Sequence, residues 1–111
     1  MGRDLSGANA QAVKEFCLEV KLKLMTNVLD VRVFGSVARG TATPESDIDV
    51  LVLLEFKHPN VRDIIAEIAL DINLKYDVVI SPVIMSKDHY SNSLFQETAF
   101  YRNLEQEGVS I

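Results

Sequence analysis

Residues 34–40, FGSVARG, and residues 46–52, SDIDVLV, decide the fold of this chain. The first segment ends a short apolar run with a glycine–serine pair. The second places Asp47 and Asp49 at the head of an apolar run that continues to Leu54. Side chains two apart on a strand share a face, about 6.5 to 7 Å apart. Because two carboxylates on one face repel each other and are costly to bury, the pattern indicates a site for a divalent cation.

The glycine–serine pair predicts a turn that attracts phosphate. A strand that ends at Gly35 and turns at once leaves backbone N–H groups free, and the Ser36 hydroxyl adds a further donor. Glycine also allows an unusual backbone angle or the close approach of a ligand. Arg39 is within reach of the same oxygens, although a salt bridge to Glu45 is the alternative. The glycine–serine pair alone is weak evidence for a phosphate site, because most such pairs are ordinary turns with the serine as a plain helix cap.

Length and composition indicate a single soluble domain. The chain has 111 residues, of which 48 % are apolar and 24 % charged, and no apolar run approaches the roughly 18 residues of a membrane helix. We therefore expect one domain over residues 1–111, with residues 1–8 disordered. The one cysteine, Cys17, excludes an intrachain disulfide and a cysteine-based zinc site. With no signal-peptide pattern, we expect a cytoplasmic protein.

The charge distribution argues against nucleic acid as a direct ligand. The net charge is −5, and residues 41–111 carry five Lys and Arg against twelve Asp and Glu. A phosphate backbone is therefore an unlikely partner. A small anionic ligand that arrives with its own magnesium remains compatible, since the cation offsets acidic side chains locally.

Hydrophobic periodicity predicts alternating helices and strands in the first two thirds of the chain. The predicted elements are a helix over about 9–26, a strand over 31–34, a loop over 41–46, a central strand over 47–55 and a helix from residue 61 that Asn60 caps. The central strand is apolar on both faces beyond its two carboxylates. It is therefore expected to lie inside the sheet.

The last third predicts a strand, a helix and a short terminal strand. Residues 76–80 read as a strand that Pro82 ends or marks as an edge. A helix is predicted from Ser93, where residues 93–96 fit a capping box, to about Gly108, and residues 109–111 as a docked strand. The fold class is therefore α/β (α+β), with a small mixed sheet of three or more strands flanked by helices.

The two motifs resemble the nucleotidyltransferase domain of the DNA polymerase β superfamily. The family pattern is hydrophobic-Gly-Ser, a spacer, then Asp-hydrophobic-Asp-hydrophobic, and here ten residues separate Ser36 from Asp47. The chain looks like the minimal, stand-alone prokaryotic members. The specific motif covers residues 34–52, and a looser likeness in element order covers most of the chain. The resemblance implies a site for ATP or another nucleoside triphosphate with one or two Mg²⁺ ions.

The resemblance also assigns roles to residues. Asp47 and Asp49 would be metal ligands and catalytic, and Gly35, Ser36 and Arg39 would bind the nucleotide. The family uses a third carboxylate on a neighbouring strand, and Asp77 is the candidate, as catalytic residue and metal ligand. A solvent-facing acid, or one paired with Lys75, is the alternative for Asp77. Many relatives have a basic residue directly after Gly-Ser, whereas this chain has Val37.

Two functions remain open at this stage. One is an enzyme that moves a nucleoside monophosphate, AMP from ATP, to an acceptor hydroxyl. For so small a relative, the resemblance points to an antitoxin whose partner is a helical HEPN-type toxin with a tyrosine as acceptor. The alternative is a non-catalytic nucleotide-binding antitoxin or scaffold subunit that acts by binding its partner. Exposed edge strands also make a homodimer an expectation.

Overall fold

The computed structural model describes residues 7–35 and 47–111, and within them a sheet lies between two groups of helices. Ser36, Arg39, Glu45 and the predicted loop over 41–46 lie outside the described residues. The strands are β1 Val28–Phe34, β2 Ile48–Leu54, β3 Ile80–Ser86 and β4 Val109–Ser110. The helices are α1 Gly7–Leu24, α2 Val61–Tyr76, α3 Lys87–Tyr90, α4 Ser93–Gln96 and α5 Ala99–Glu107, and a 3₁₀ turn, Met25–Asn27, follows α1.

The sheet is mixed, with the strand order β3-β2-β1-β4. β1 runs antiparallel to both β2 and β4, whereas β2 and β3 are parallel. The predicted fold class is therefore confirmed, as are the central position of the aspartate-bearing strand and the terminal strand at Val109–Ser110. Because β2 has a neighbour on each side and helices cover both faces, its apolar run is explained.

Helices α1 and α2 cover the first face of the sheet. The hydrophobic periodicity that predicted both helices is confirmed, because each helix buries one apolar face against alternate residues of the strands. Fully or almost fully buried here are Val13, Phe16, Val20, Ile65, Ile72, Val33, Ile48, Val50 and Val52. Each such side chain contributes about 1.5 to 3 kcal/mol when removed from water. This layer is the main core of the molecule.

The short helices α3, α4 and α5 cover the second face. Phe34, Leu51, Met85 and Leu104 are buried together there. Phe34 and Phe100 meet edge to face with ring centroids 5.6 Å apart. The aromatic residues Tyr90, Phe95, Phe100 and Tyr101 pack against one another, with Phe95 and Tyr101 5.8 Å apart. This small second core holds the C-terminal helices against the sheet next to Phe34, the last residue of β1.

The predicted C-terminal helix is wrong in its continuity. The structure has two helices in place of one, with Glu97 and Thr98 between them. The residue that caps α4 is Asn92, whose Oδ1 accepts from the N–H groups of Leu94 and Phe95, so no capping box starts at Ser93. Thr98 caps α5 by accepting from the Tyr101 N–H. A side-chain acceptor thus begins each short helix.

The predicted strand over residues 76–80 is also wrong. Tyr76 is the last residue of α2, and β3 starts at Ile80 and runs through Pro82. Pro82 is tolerated because β3 is an edge strand, where a missing N–H breaks no ladder within the described sheet. The helical stripe of α2 extends to Tyr76, and this packing prevails over the β propensity of the segment.

Two smaller differences concern the first elements. Gly7 and Ala8, expected as part of a disordered terminus, are the first residues of α1, and residues 1–6 lie outside the described part. β1 begins three residues earlier than predicted, at Val28. Within the described ranges no helix is both long enough and apolar enough to cross a membrane.

Candidate active site

Gly35, the residue after β1, lies directly against an aspartate of β2. Gly35 has a φ of +78°, in the region that favours glycine. A Cβ at this position would overlap Oδ2 of Asp49 and lie 3.2 Å from its Cγ. The backbone angle therefore favours glycine, and any Cβ would displace the Asp49 carboxylate. The unusual backbone angle predicted as one possibility at Gly35 is observed, and its close neighbour in the structure is the Asp49 carboxylate.

The two aspartates lie at one end of the sheet, as predicted. Asp49 is opposite Phe34 in the antiparallel pair, and it is half-buried. Asp47 immediately precedes β2 and is exposed. Ile48, between them, is buried in the first core, and its N–H donates to the Val79 carbonyl at 2.7 Å. Because Ile48 faces one side, both carboxylates face the other, the side covered by α3–α5.

Ser81 of β3 lies beside Asp49, and no sequence motif predicted this position. It is the register partner of Asp49 in the parallel pair, so the two side chains share a face. The next residues of β3 on that face, Val83 and Met85, pack into the second core. The available signal was the alternation Ser81, Val83, Met85, in which one polar residue begins an apolar face. The strand predicted over residues 76–80 ends before Ser81, so this alternation fell outside it.

Asp77 does not lie on a strand. It follows α2 in the left-handed conformation, with φ 54° and ψ 49°, and its N–H donates to the Asn73 carbonyl. Its side chain is exposed, and two residues separate it from the start of β3. Within residues 7–35 and 47–111, no three His, Cys, Asp or Glu side chains are grouped so that they could hold a metal ion. Asp77 therefore does not complete a trio with the aspartate pair in this structure.

The alternative partner suggested for Asp77 is engaged elsewhere. Lys75 Nζ lies 3.0 Å from Oε1 of Glu15, which also accepts a hydrogen bond of 2.6 Å from the Tyr76 hydroxyl. These two contacts, first the Tyr76 bond and then the Lys75 bond, lower the pKa of Glu15. Of the two alternatives for Asp77, the structure therefore shows an exposed side chain and no pairing with Lys75. The contacts instead tie the end of α2 to α1.

A polar network connects β1 to the C-terminal helices. Arg32 pairs with Asp30 at 2.9 Å, donates to the Leu104 carbonyl at 3.1 Å, and contacts the Tyr90 hydroxyl and Glu105. The Tyr90 hydroxyl donates to Glu105. Burial, and then this hydrogen bond, raise the pKa of Tyr90 to about 12. The network joins β1 to α3 and α5, and therefore fixes the strand that carries Gly35.

The comparison with known proteins gives the family. The sequence model described as "Nucleotidyltransferase domain" matches residues 11–106. A protein of Methanocaldococcus jannaschii named "Putative protein adenylyltransferase MJ0604" is 34 % identical over 98 residues, which are 88 % of this chain and 92 % of that protein.

Two solved structures have the same fold. One, described as a minimal nucleotidyltransferase, has a TM-score of 0.61 and 22 % identity over 96 % of this chain and 97 % of its own. The other, a toxin–antitoxin structure with AMP-PNP, has a TM-score of 0.59 and 21 % identity over 86 % of this chain and 68 % of its own. Together with the family match and the paired aspartates at a glycine turn, they identify the chain as a member of the nucleotidyltransferase domain family, an enzyme of the adenylyltransferase-like type.

Proposed function

We propose that this domain transfers AMP from ATP to an acceptor hydroxyl in a Mg²⁺-dependent reaction. The observation that carries the proposal is the contact between Gly35 and the Asp49 carboxylate. It sets an acid suited to a cation beside the first residue of the segment proposed to bind phosphate. Asp47, which is exposed, lies two residues before Asp49 in the chain.

The residues present fit magnesium and a triphosphate. Mg²⁺ prefers oxygen ligands and commonly takes one or two protein carboxylates, with water and phosphate as the remaining ligands. Asp47 and Asp49 supply two such groups, one exposed and one half-buried, so the pair is accessible from solvent. Bound there, the cation would offset the negative charge of the phosphates. Gly35, Ser36 and Arg39 are proposed to hold the triphosphate.

The proposed reaction is an in-line displacement at the α-phosphorus. The acceptor oxygen forms a bond to that phosphorus, the bond from it to the bridging oxygen of the β-phosphate breaks, and pyrophosphate leaves. The proton of the acceptor hydroxyl passes to a carboxylate. Asp77 remains our candidate for this base, because it lies on the chain leading into β3 at the same end of the sheet.

We infer further that the acceptor is a tyrosine of a HEPN-type helical toxin, with this domain as the antitoxin. Two findings support a protein acceptor and an antitoxin role: the related archaeal protein is named for protein adenylylation, and the similar toxin–antitoxin structure contains AMP-PNP. The HEPN-type partner and the tyrosine rest on the family resemblance. We place the reaction in the cytoplasm, which supplies both ATP and Mg²⁺. Self-association through the edge strand β3 is a separate proposal, and light scattering that shows only a monomer would contradict it.

The test is label transfer to the partner. The protein is mixed with ATP labelled at the α-phosphate, Mg²⁺ and the protein encoded by the neighbouring gene. We expect label on the partner with the wild type and with Asp71→Asn, an exposed acid of α2 that serves as matched control. Asp47→Asn and Asp49→Asn should transfer none. Inhibition of the partner that is unchanged in both variants, without any label, would instead support the non-catalytic binding subunit.

A further inference from the structure

Three neighbouring strands place Phe34, Asp49 and Ser81 in one row across the second face of the sheet. The next row inward is Arg32, Leu51 and Val83. From Asp49 and Ser81 inward, β2 and β3 present only apolar residues on this face, and these residues belong to the second core. Ser81 is therefore the one residue of β3 that presents a hydroxyl beside the aspartate pair.

The Asp49 carboxylate and the Ser81 hydroxyl lie on opposite sides of this row. Asp49 leans toward β1, since its Oδ2 lies where a Cβ of Gly35 would be. Ser81 is on β3, one strand spacing of about 4.8 Å to the other side of β2. Ser81 is half-buried, and its hydroxyl makes no hydrogen bond within the described residues. An unpaired hydroxyl at the border of an apolar core has capacity to bind a ligand.

The geometry of in-line displacement determines on which side of Asp49 each reactant lies, and this step rests on the proposed function. The leaving pyrophosphate and the attacking oxygen lie on opposite sides of the α-phosphorus. If the triphosphate is held at the Gly35 turn on the β1 side, the attacking oxygen enters from the β3 side. Ser81 is the polar residue on that side of Asp49.

We propose that Ser81 is an acceptor-side contact residue. Its hydroxyl donates a hydrogen bond to one lone pair of the acceptor oxygen, which leaves that oxygen's own proton for a carboxylate and its other lone pair for the α-phosphorus. No bond to Ser81 forms or breaks, and the displaced proton still goes to a carboxylate. The ordinary alternative is a serine at the start of a strand that contacts only water. An acceptor-side contact changes kcat/KM for the acceptor without changing MgATP affinity, whereas a serine that contacts only water changes neither.

The test compares Ser81→Ala, Ser81→Thr and Ser93→Ala, the last removing an exposed hydroxyl at the start of α4. MgATP affinity is measured by calorimetry, and kcat/KM is measured for label transfer to the protein encoded by the neighbouring gene. For Ser81→Ala we expect MgATP affinity within about twofold of wild type and kcat/KM for the acceptor lowered about three- to tenfold, the effect of one hydrogen bond. Ser81→Thr, which keeps the hydroxyl, should recover most of the loss, and Ser93→Ala should match the wild type.

Two outcomes would overturn the inference while leaving the proposed function intact. One is acceptor kinetics of Ser81→Ala equal to wild type. The other is a loss of MgATP affinity as large as the loss in kcat/KM, which would put Ser81 on the nucleotide side. A wild-type protein that binds no MgATP and transfers no label would overturn the proposed function itself, and the inference with it. Thermal unfolding of each variant establishes that the fold is kept.

Discussion

At the scale of the residue, Gly35 carries the strongest constraint in the described part of the site. Its positive φ and the overlap that any Cβ would make with Asp49 are two independent reasons for glycine. An L-residue in the left-handed region costs roughly 1 to 2 kcal/mol. The overlap also forces the Asp49 carboxylate to move. Stability and ligand binding are therefore coupled at this position.

We predict that Gly35→Ala lowers the free energy of unfolding by at least about 1 kcal/mol and weakens MgATP binding. The matched control is Gly7→Ala, because Gly7 is the first residue of α1 and alanine favours a helix. Urea unfolding and calorimetry with MgATP measure the two effects. Wild-type stability and affinity in Gly35→Ala would refute the tight contact between residue 35 and Asp49.

At the scale of the element, the junction between α2 and β3 decides where Asp77 lies. Asp77 ends the helix in the left-handed conformation. Asn73 then reaches forward, its Oδ1 accepting a hydrogen bond of 2.8 Å from the N–H of Ile80, the first residue of β3. This side-chain bond, together with the left-handed turn, fixes the start of the strand. Neither is visible in the propensity of residues 76–80, which favours a strand throughout.

We predict that Asp77→Gly stabilises the protein by about 1 kcal/mol, because glycine is the preferred residue for a left-handed helix end. Met25→Gly is the matched control, since Met25 also has a positive φ, of 50°. If Asp77 is the proposed base, Asp77→Gly and Asp77→Asn both lose label transfer, whereas Met25→Gly keeps it. A stable Asp77→Asn protein with full transfer would remove Asp77 from the mechanism.

At the scale of the whole molecule, the second core and its polar network hold the site end of the sheet. Tyr90, Arg32 and Glu105 connect β1 to two of the C-terminal helices. The pKa of Tyr90 is raised from 10.0 to about 12, so the folded state binds the phenolic proton more tightly than the unfolded state. Its contribution to stability is complete below pH 10 and is lost as the pH rises toward about 12.

We predict an ionisation step near pH 12 in the phenolate absorbance of the folded protein. Tyr90→Phe should lack that step and should lose less stability than the wild type between pH 10 and 12. Chemical unfolding at several pH values in this range measures the second effect. A Tyr90 that ionises at pH 10 in the folded protein would show that the phenol is neither desolvated nor bonded to Glu105.

Much of the architecture was accessible from sequence, because periodicity reports which face of an element is buried. The stripe of α2 and the apolar run of β2 predicted a helix on a central strand, and this is confirmed. The pairing of the Gly35 turn with the Asp pair followed from placing both at strand ends. Local side-chain hydrogen bonds account for the wrong predictions. Asn92 and Thr98 cap two separate helices where one was predicted, and Asn73 bonds to Ile80, where β3 starts. Because β3 starts later than predicted, it includes Ser81 and excludes Asp77.

Calorimetric titration of MgATP into the wild type, Asp47→Asn, Asp49→Asn and Asp71→Asn measures whether the aspartate pair beside Gly35 holds the metal–nucleotide complex. We predict saturable binding to the wild type and to Asp71→Asn, and a loss of binding in each of the other two variants that thermal unfolding shows to be folded. Equal MgATP affinity in the wild type and Asp49→Asn would contradict the account.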